Sequence, residues 1–246
     1  MIQSVERAFS LLYTIGLNKD RISVSQLARD VDLPRTTVVR LLETLQAVGA
    51  VKTAERKDEY QLGDKLLALL NEVPWQTQLR AVAQPCLQTL AEQTGETIYL
   101  CLPDGDQVLY ATQINSRYKI QVEDATGQRY PMHVTAPGKL FLAHRSPEIQ
   151  AAYFAQRLER YTEMTILSNE MLETQFIEIL QTGHSWTRDE FEIGYVGLAA
   201  PIFNQQQELV GAVALGAPKF RIRDATHEAE LVQFVSEAAQ QISKRL

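Results

Sequence analysis

The sequence predicts an α+β protein made of a small N-terminal unit and a larger C-terminal unit. Apolar residues at helical spacing and a short strand pair fill the first 62 residues, whereas strands frame several helices in the rest of the chain. Charge divides the chain in the same way. Residues 1–62 hold 9 Lys and Arg against 8 Asp and Glu, or +1, and the remainder holds 15 against 22, or −7. We therefore expect the two units to do different work.

Composition places the 246-residue chain among ordinary globular proteins, with 45% hydrophobic and 22% charged residues. Its net charge of −6 argues against coating nucleic acid or an anionic membrane by bulk positive charge. Cys86 and Cys101 are too few for a disulfide framework, and we expect both to be small buried apolar residues. The sequence has no leader pattern and no apolar run of about 18 residues, so we expect a cytoplasmic protein without a membrane partner.

Two helices are predicted first. Ser4 is expected to cap the first helix and Gly16 to end it. Its apolar residues recur at spacings of three and four and share one face: Val5, Ala8, Phe9, Leu12 and Ile15. In the second helix, Ser23 and Gln26 form a capping box, in which each side chain binds a backbone amide at the helix start. The buried face of this helix is Leu27, Ala28 and Val31.

A third helix is predicted from Pro34 to Val48, with Gly49 as its stop. Its buried side is aliphatic: Val38, Leu41, Leu42, Leu45 and Val48. The opposite side carries Thr36, Val39, Arg40 and Glu43, with Arg35 at the helix start. This division is typical of a recognition helix, whose first turns enter the major groove of DNA. The residues expected to contact DNA from the second and third helices are Ser25, Gln26, Arg35, Thr36, Thr37 and Arg40.

A period-two pattern after Gly49 predicts a β-hairpin, the wing of a winged helix-turn-helix. Its strand positions are Val51, Thr53, Tyr60 and Leu62. Arg56 and Lys57 lie in the polar tip and are expected to reach a minor groove or a phosphate. The alternative is a packing or dimerisation unit with the same apolar spacing, but it leaves the basic and hydroxyl residues of the third helix unexplained. Because a charge of +1 neutralises few phosphates, we expect a dimer on a two-fold operator in double-stranded DNA.

A leucine-rich linker helix is predicted over residues 64–80, after a DNA-binding domain over 1–63. Its apolar stripe, which would bury against a partner chain or within its own chain, is Leu66, Leu67, Leu69 and Leu70. Pro74 is expected to interrupt this segment, and a second helix runs to Thr94 with Gly95 as its stop. Pro85 would kink that second helix or mark a new start.

The C-terminal domain, residues 81–246, is predicted to be mixed α/β with a mainly antiparallel sheet. The predicted strands cover 97–102, 108–114, 194–203 and 208–217. The predicted helices cover 137–144, 147–158, 169–181 and 224–246.

No catalytic or metal-binding motif is assembled in this domain, so we expect no enzyme and no cofactor. The segment 136–139 resembles the end of a phosphate-binding loop but lacks the upstream glycine and the following Ser or Thr. Four histidines lack ligand spacing: His133, His144, His184 and His227. Asp189, Glu190 and Glu192 could form a carboxylate cluster, but we expect a solvated turn.

Several motifs together resemble the isocitrate-lyase-regulator (IclR) family of bacterial transcription factors over nearly the whole chain. They are the segment 27–42, Tyr60–Gly63, Gly95–Thr97, Gly127 with Tyr130–His133, Ala136–Lys139, and Glu190 with Gly194 and Leu198–Pro201. The resemblance implies a winged helix-turn-helix, a linker helix and a GAF-like C-terminal domain that binds a small effector. It also implies homodimers or homotetramers that repress or activate catabolic operons.

The resemblance also implies an effector pocket. Its expected residues are Tyr130, Ala136, Pro137, Thr187, Tyr195, Gly197, Ala214 and Gly216. Family members that bind small keto acids carry Asp, Cys and two Ser where this chain has Thr187, Gly197, Ala214 and Gly216. We therefore expect a roomier, less polar pocket for an aromatic or longer organic acid, whose carboxylate pairs with Lys119, Arg129 or Arg188. Alternatively, the two glycines only permit close strand packing.

The sequence thus predicts a ligand-responsive DNA-binding regulator. The runner-up is a metabolite-sensing module whose winged helix docks onto a protein partner. An enzyme with a helical oligomerisation arm lacks a recognisable catalytic constellation.

Overall fold

The structure is a computed structural model, and it describes residues 2–18, 21–54, 58–71 and 75–246. Contacts divide the chain into two compact units, Met1–Thr77 and Gln78–Leu246. The predicted wing-tip residues Arg56 and Lys57, the interruption at Pro74 and the side chain of Leu70 lie outside the described residues. Within the described ranges, no helix combines the length and the apolar character that crossing a bilayer requires.

The first unit is a winged helix-turn-helix. Its helices are α1 (Gln3–Leu17), α2 (Val24–Asp30), α3 (Arg35–Ala47) and α4 (Asp64–Asn71). Its strands are β1 (Ile22–Ser23), β2 (Val51–Thr53) and β3 (Glu59–Leu62), in the antiparallel order β1-β3-β2. The hairpin prediction is confirmed, since Val51 lies opposite Leu62 and Thr53 opposite Tyr60. Strand β1 was not predicted, because two residues are too few to show a period.

Helix α1 divides its apolar residues differently from the prediction. Leu11 and Ile15 are buried in the core with Leu27, Val38 and Leu42, and Ala8 and Leu12 pack against it. Val5 and Phe9 are 50% and 68% exposed. The single predicted face is therefore wrong. With apolar side chains around most of the helix, spacing alone does not identify the side that meets α3.

The helix ends follow the sequence signals in part. Ser23 caps α2 by accepting a hydrogen bond from the Gln26 amide (3.3 Å), but the Gln26 side chain bonds to Arg29 and Asp30 and does not reach back. The predicted Ser4 cap is wrong, because Ile2 occupies the cap position and α1 continues through Gly16. Gly49 does end α3, with a φ of 78° that glycine adopts without steric cost. In the linker segment, Leu67 and Leu69 are exposed.

The second unit is built on one antiparallel six-stranded sheet in the order β6-β5-β4-β9-β8-β7. The strands are β4 (Thr97–Asp104), β5 (Gln107–Ile114), β6 (Arg129–Pro131), β7 (Ser185–Arg188), β8 (Tyr195–Phe203) and β9 (Leu209–Pro218). The helices are α5 (Trp75–Thr94), α6 (Ala136–Ala143), α7 (Pro147–Phe154), α8 (Asn169–Thr182) and α9 (Ala225–Ser243). The predicted strands and the mixed α/β class are confirmed. The short edge strands β6 and β7 were not predicted.

Alternating residues send side chains into two cores on opposite faces of this sheet. Ile98, Leu100 and Leu102 of β4 join one core with residues of α5 and α9, including Leu87 and Val235. Tyr99 and Cys101 of β4 join the other core, with residues of α6 and α8 such as Leu140 and Phe176. The sheet thus lies between two helical layers.

Helix α5 runs through Pro85 and ends before Gly95, whose φ is 72°. Pro85 therefore does not mark a new helix start. The boundary predicted between residues 80 and 81 falls inside this helix.

Gly138 in the first turn of α6 has no room for a side chain. An added Cβ would collide with the Met132 backbone, which cannot move as a flexible side chain does. We expect Gly138→Ala to lower the free energy of unfolding by at least about 1–3 kcal/mol, the usual cost of overpacking a core. Urea denaturation measures the change.

Gly16→Ala is the control for this prediction. The nearest atom to its added Cβ is Leu62 Cδ1 at 3.7 Å, which is an ordinary contact. In a helix, alanine is more stable than glycine by about 1 kcal/mol, so Gly16→Ala is expected not to destabilise the protein. Unchanged stability of Gly138→Ala would show that α6 is not packed as closely as described.

Candidate DNA-binding surface and effector cavity

The exposed side of α3 carries the residues that the sequence assigns to DNA. Arg35, Thr36 and Arg40 are exposed and Thr37 is half-buried, while the opposite side is buried in the core. The turn before α3 ends at Pro34, which sits at the cap position in a non-helical conformation. Guanidinium and hydroxyl groups presented by a helix's first two turns are suited to base edges and phosphates.

Gln26 of α2, Val39 of α3 and Val48 at the end of α3 depart from the predicted arrangement. Ser25 is exposed, whereas Gln26 is half-buried and its amide group is already bonded within α2. Val39 packs against the core although the helical period placed it outside, and Val48 is 57% exposed. Val48 leaves the core because α3 ends one residue before it.

A cavity of about 520 Å³ lies in the second unit, between the sheet, the start of α6 and the loops after β5 and β7. This volume is within the range of small-molecule sites. Its lining residues are Tyr99, Tyr110, Gln121, Val122, Glu123, Ala125, Tyr130, Thr135, Ala136, Pro137, Thr187, Phe191, Glu192, Ile193, Gly194, Tyr195, Gly197, Ala214, Leu215 and Pro218.

The structure brings together most of the residues that the resemblance assigned to an effector pocket. Those that line the cavity are Tyr130, Ala136, Pro137, Thr187, Tyr195, Gly197 and Ala214. Lys119 is exposed and lies outside the lining, and so does Gly216. Gly216 instead lies beneath two rings, since a Cβ there would collide with the Tyr195 hydroxyl and approach Tyr99.

Gly197 lines the cavity and also permits a close approach. An added Cβ would lie 2.8 Å from the Thr187 hydroxyl and 3.5 Å from the Ala136 methyl group. Gly197 therefore fits both interpretations of the sequence: it lines the cavity, and it allows its neighbours to pack closely.

Aromatic rings form a continuous wall of the cavity. Tyr99, Tyr110, Tyr130 and Phe191 follow one another edge to face, with successive centroids 4.9, 5.1 and 5.2 Å apart. Burial raises the pKa of the Tyr99, Tyr110 and Tyr195 hydroxyls well above the ordinary range, so these groups stay neutral. Sequence reasoning missed Tyr99 and Tyr110.

The lining has no predicted cationic partner for a carboxylate. Arg129 pairs with Asp104 (2.6 Å), and Arg188 pairs with Glu228 (2.8 Å) and stacks on Trp186. Among the cavity-lining residues described, none is Lys, Arg or His, and the charged side chains are Glu123 and Glu192. The expectation that Lys119, Arg129 or Arg188 reaches into the pocket is therefore not met.

The loop 189–194 forms one rim of the cavity and is fixed at its base. Asp189 is paired with Lys219 and accepts a hydrogen bond from the Gly194 amide (2.7 Å). Glu190 is paired with Lys139. The predicted solvated turn is wrong for Asp189 and Glu190, which are buried in ion pairs, while Glu192 is exposed at the cavity.

Lys139 is fully buried in α6, where it also donates a hydrogen bond to Gln175 (2.7 Å). Burial lowers the pKa of its ammonium group, and the Glu190 carboxylate opposes that shift. Its bond to Glu190 ties α6 to the loop 189–194, so the two sides of the cavity are held together. The lysine is thus engaged in an ion pair inside the protein. Within the described part of the chain, no group of three His, Cys, Asp or Glu residues is placed to hold a metal ion.

A winged helix-turn-helix that presents Arg and Thr, in one chain with an α/β domain that contains a cavity, is typical of transcriptional regulators with an effector domain. Family models agree. Residues 4–55 match the IclR helix-turn-helix domain, and residues 73–244 match the bacterial transcriptional regulator IclR C-terminal domain. The chain belongs to the IclR family of bacterial transcriptional regulators.

Named relatives cover nearly the whole chain. It is 29% identical over 243 residues to the HTH-type transcriptional regulator BhcR of Paracoccus denitrificans, covering 98% of this chain and 86% of that one. It is 27% identical over 226 residues to the transcriptional repressor IclR of Escherichia coli, covering 91% and 82%. The fold also matches an IclR homologue from Microbacterium hydrocarbonoxydans in complex with 4-hydroxybenzoate, with TM-score 0.64, 22% identity and 98% of each chain covered.

Breaking the buried ion pair is expected to destabilise the second unit. Lys139→Met leaves the Glu190 carboxylate buried without its partner, which costs about 3–5 kcal/mol of unfolding free energy. The double variant Lys139→Met/Glu190→Leu removes both charges and is expected to recover most of that loss. Urea denaturation of both variants measures the difference.

Lys52→Met is the matched control, because Lys52 pairs with Asp64 at the surface (2.5 Å), where an ion pair contributes about 0–1 kcal/mol. Equal losses in Lys139→Met and Lys52→Met would contradict the assigned role of Lys139.

Proposed function

We propose that this protein is a DNA-binding transcriptional regulator that reads a two-fold operator with two copies of α3, and whose cavity binds a small organic effector that alters operator binding. The observation that carries the proposal is the exposed side of α3, where Arg35, Thr36 and Arg40 face solvent. Ser25 of α2 and Thr37 of α3 are proposed to contribute to this surface, and Arg56 and Lys57 are proposed to add contacts to the neighbouring DNA backbone.

Charge supports binding as a dimer or tetramer. Residues 1–62 carry only one net positive charge, and the affinity of a protein for DNA grows with the number of phosphates it neutralises. Two linked copies double those contacts and match the symmetry of a two-fold site. By analogy with the family, the operator controls a catabolic operon.

The cavity supports an effector of about the size of a substituted aromatic ring. Its volume of about 520 Å³ and its wall of rings suit such a ligand better than a two- or three-carbon acid. The Microbacterium homologue, with its bound 4-hydroxybenzoate, is a precedent for an aromatic ligand in this fold. Effector binding would change operator affinity by changing the spacing of two recognition helices, which must lie about 34 Å apart to engage together.

One observation favours the alternative, a winged helix that docks onto a protein partner. Helix α1 exposes Phe9, Tyr13 and Leu17 by 68%, 71% and 64%. If the purified protein binds its operator DNA more tightly than random DNA, this alternative is contradicted.

Arg40→Ala is expected to weaken binding to operator DNA by about 1–3 kcal/mol if the guanidinium reads a base. A mobility-shift titration on the upstream intergenic DNA, with random DNA as competitor, measures the loss at physiological salt. Arg80→Ala removes the same charge from the exposed part of α5 and is expected to leave binding unchanged. Equal weakening on operator and random DNA would make Arg40 a phosphate contact. No weakening on either would contradict the proposed role of Arg40 in DNA binding.

A further inference from the structure

We propose that the effector, within the function proposed above, carries an aromatic ring and a positively charged amino group, and that Glu123 and Glu192 select for that charge. The proposal rests on the lining of the cavity: its rings, its carboxylates and the positions of the neighbouring cations.

The ring wall provides the first part of the recognition. Tyr99, Tyr110, Tyr130 and Phe191 lie in edge-to-face contact, and Tyr195 lines the same cavity from β8. An ammonium group over an aromatic face is attracted by the electron density of the ring, and the attraction grows when water is excluded. A wall of five rings therefore suits an aromatic amine.

The carboxylates provide the second part. Glu123 comes from the segment between β5 and β6, and Glu192 from the loop between β7 and β8, so they reach the cavity from two different segments. Among the described residues, neither carboxylate forms a salt bridge. Both carboxylates interact electrostatically with tyrosines of the wall: the negative charge of Glu123 helps to raise the pKa of Tyr130, and that of Glu192 helps to raise the pKa of Tyr195. Both side chains are exposed at the cavity, where an ammonium group of a ligand can approach them.

Four cations near the cavity are paired with carboxylates outside it, whereas Lys119 is exposed and lies outside the lining. Lys139 is paired with Glu190, Lys219 with Asp189, Arg129 with Asp104 and Arg188 with Glu228. Moving one of them to a bound acid would break its own ion pair.

The first turn of α6 offers an anion the Ala136 amide but not the three that follow it. Pro137 has no backbone N–H, the Gly138 amide donates to the Thr135 hydroxyl (3.2 Å), and the Lys139 amide donates to the Thr135 carbonyl (2.9 Å). A ligand carboxylate would therefore meet two glutamates and no cation among the described lining residues.

The test is a charge series of equal length on the full chain without DNA: 3-phenylpropylamine, 3-phenylpropan-1-ol and 3-phenylpropanoate. Calorimetric titration is expected to show that the amine binds about tenfold more tightly than the alcohol. The acid is expected to bind most weakly. In Glu123→Gln/Glu192→Gln the amine should lose that advantage and bind within about twofold of the alcohol. Glu173→Gln, an exposed position on α8, is the control and should preserve the ranking.

Tightest binding by the acid, an unchanged preference in the double variant, or binding of none of the three compounds would overturn the inference. Each of these outcomes leaves operator recognition by α3 intact, because the titration contains no DNA. Failure of the Arg40→Ala experiment would instead contradict the proposed function, so the two failures are distinguishable.

Discussion

Lys139 places an ammonium group inside the second unit, where the Glu190 carboxylate and the Gln175 side chain receive it. A single buried charge would be strongly unfavourable, so α6 and the loop 189–194 are constrained to stay together. That constraint positions both sides of the cavity: Ala136 and Pro137 lie three and two residues before the lysine, and Phe191 and Glu192 follow the glutamate. The same loop is fixed a second time by Asp189, through Lys219 and the Gly194 amide. The rim of the cavity is thus determined by ion pairs at its base, while the residues at its tip remain available to a ligand.

Local patterns predicted the elements well where the apolar residues are also the buried ones. Strands β4, β8 and β9 are buried almost throughout because a helical layer covers each face of the sheet, and these apolar runs and their antiparallel pairing were correctly predicted. Helix α1 was misjudged for the opposite reason. Apolar residues occupy most of its circumference, and only the contact with the other helices decides that Leu11 is buried and Phe9 exposed. The edge strands β6 and β7 are three and four residues long, too short for a period to be recognised.

The cavity was predictable only as far as motif positions reached. Tyr130 and Thr187 were predicted from the resemblance. Tyr99 could have been predicted from the period of a strand, because it lies between Ile98 and Leu100 in β4 and its side chain therefore points to the opposite face of the sheet. The different environments of the carboxylates could not be predicted without the three-dimensional structure. Glu190 and Glu192 are two residues apart in one polar segment, yet one is buried beside Lys139 and the other is exposed at the cavity. Nothing in local sequence separates them, because the distinction depends on a partner 51 residues away.

The weak charge of the DNA-binding unit has a consequence for control under the proposed function. If one copy bound DNA tightly by itself, a change in the spacing of two copies would release neither, because each would remain bound alone. With a net charge of +1 over residues 1–62, the affinity of one copy is low, and most of the binding free energy comes from engaging both half-sites at once. Simultaneous engagement depends steeply on spacing, so a small rearrangement at an effector domain is enough to change occupancy. Residues 63–246 then add no competing attraction to DNA, since their net charge of −7 is repelled by the phosphates.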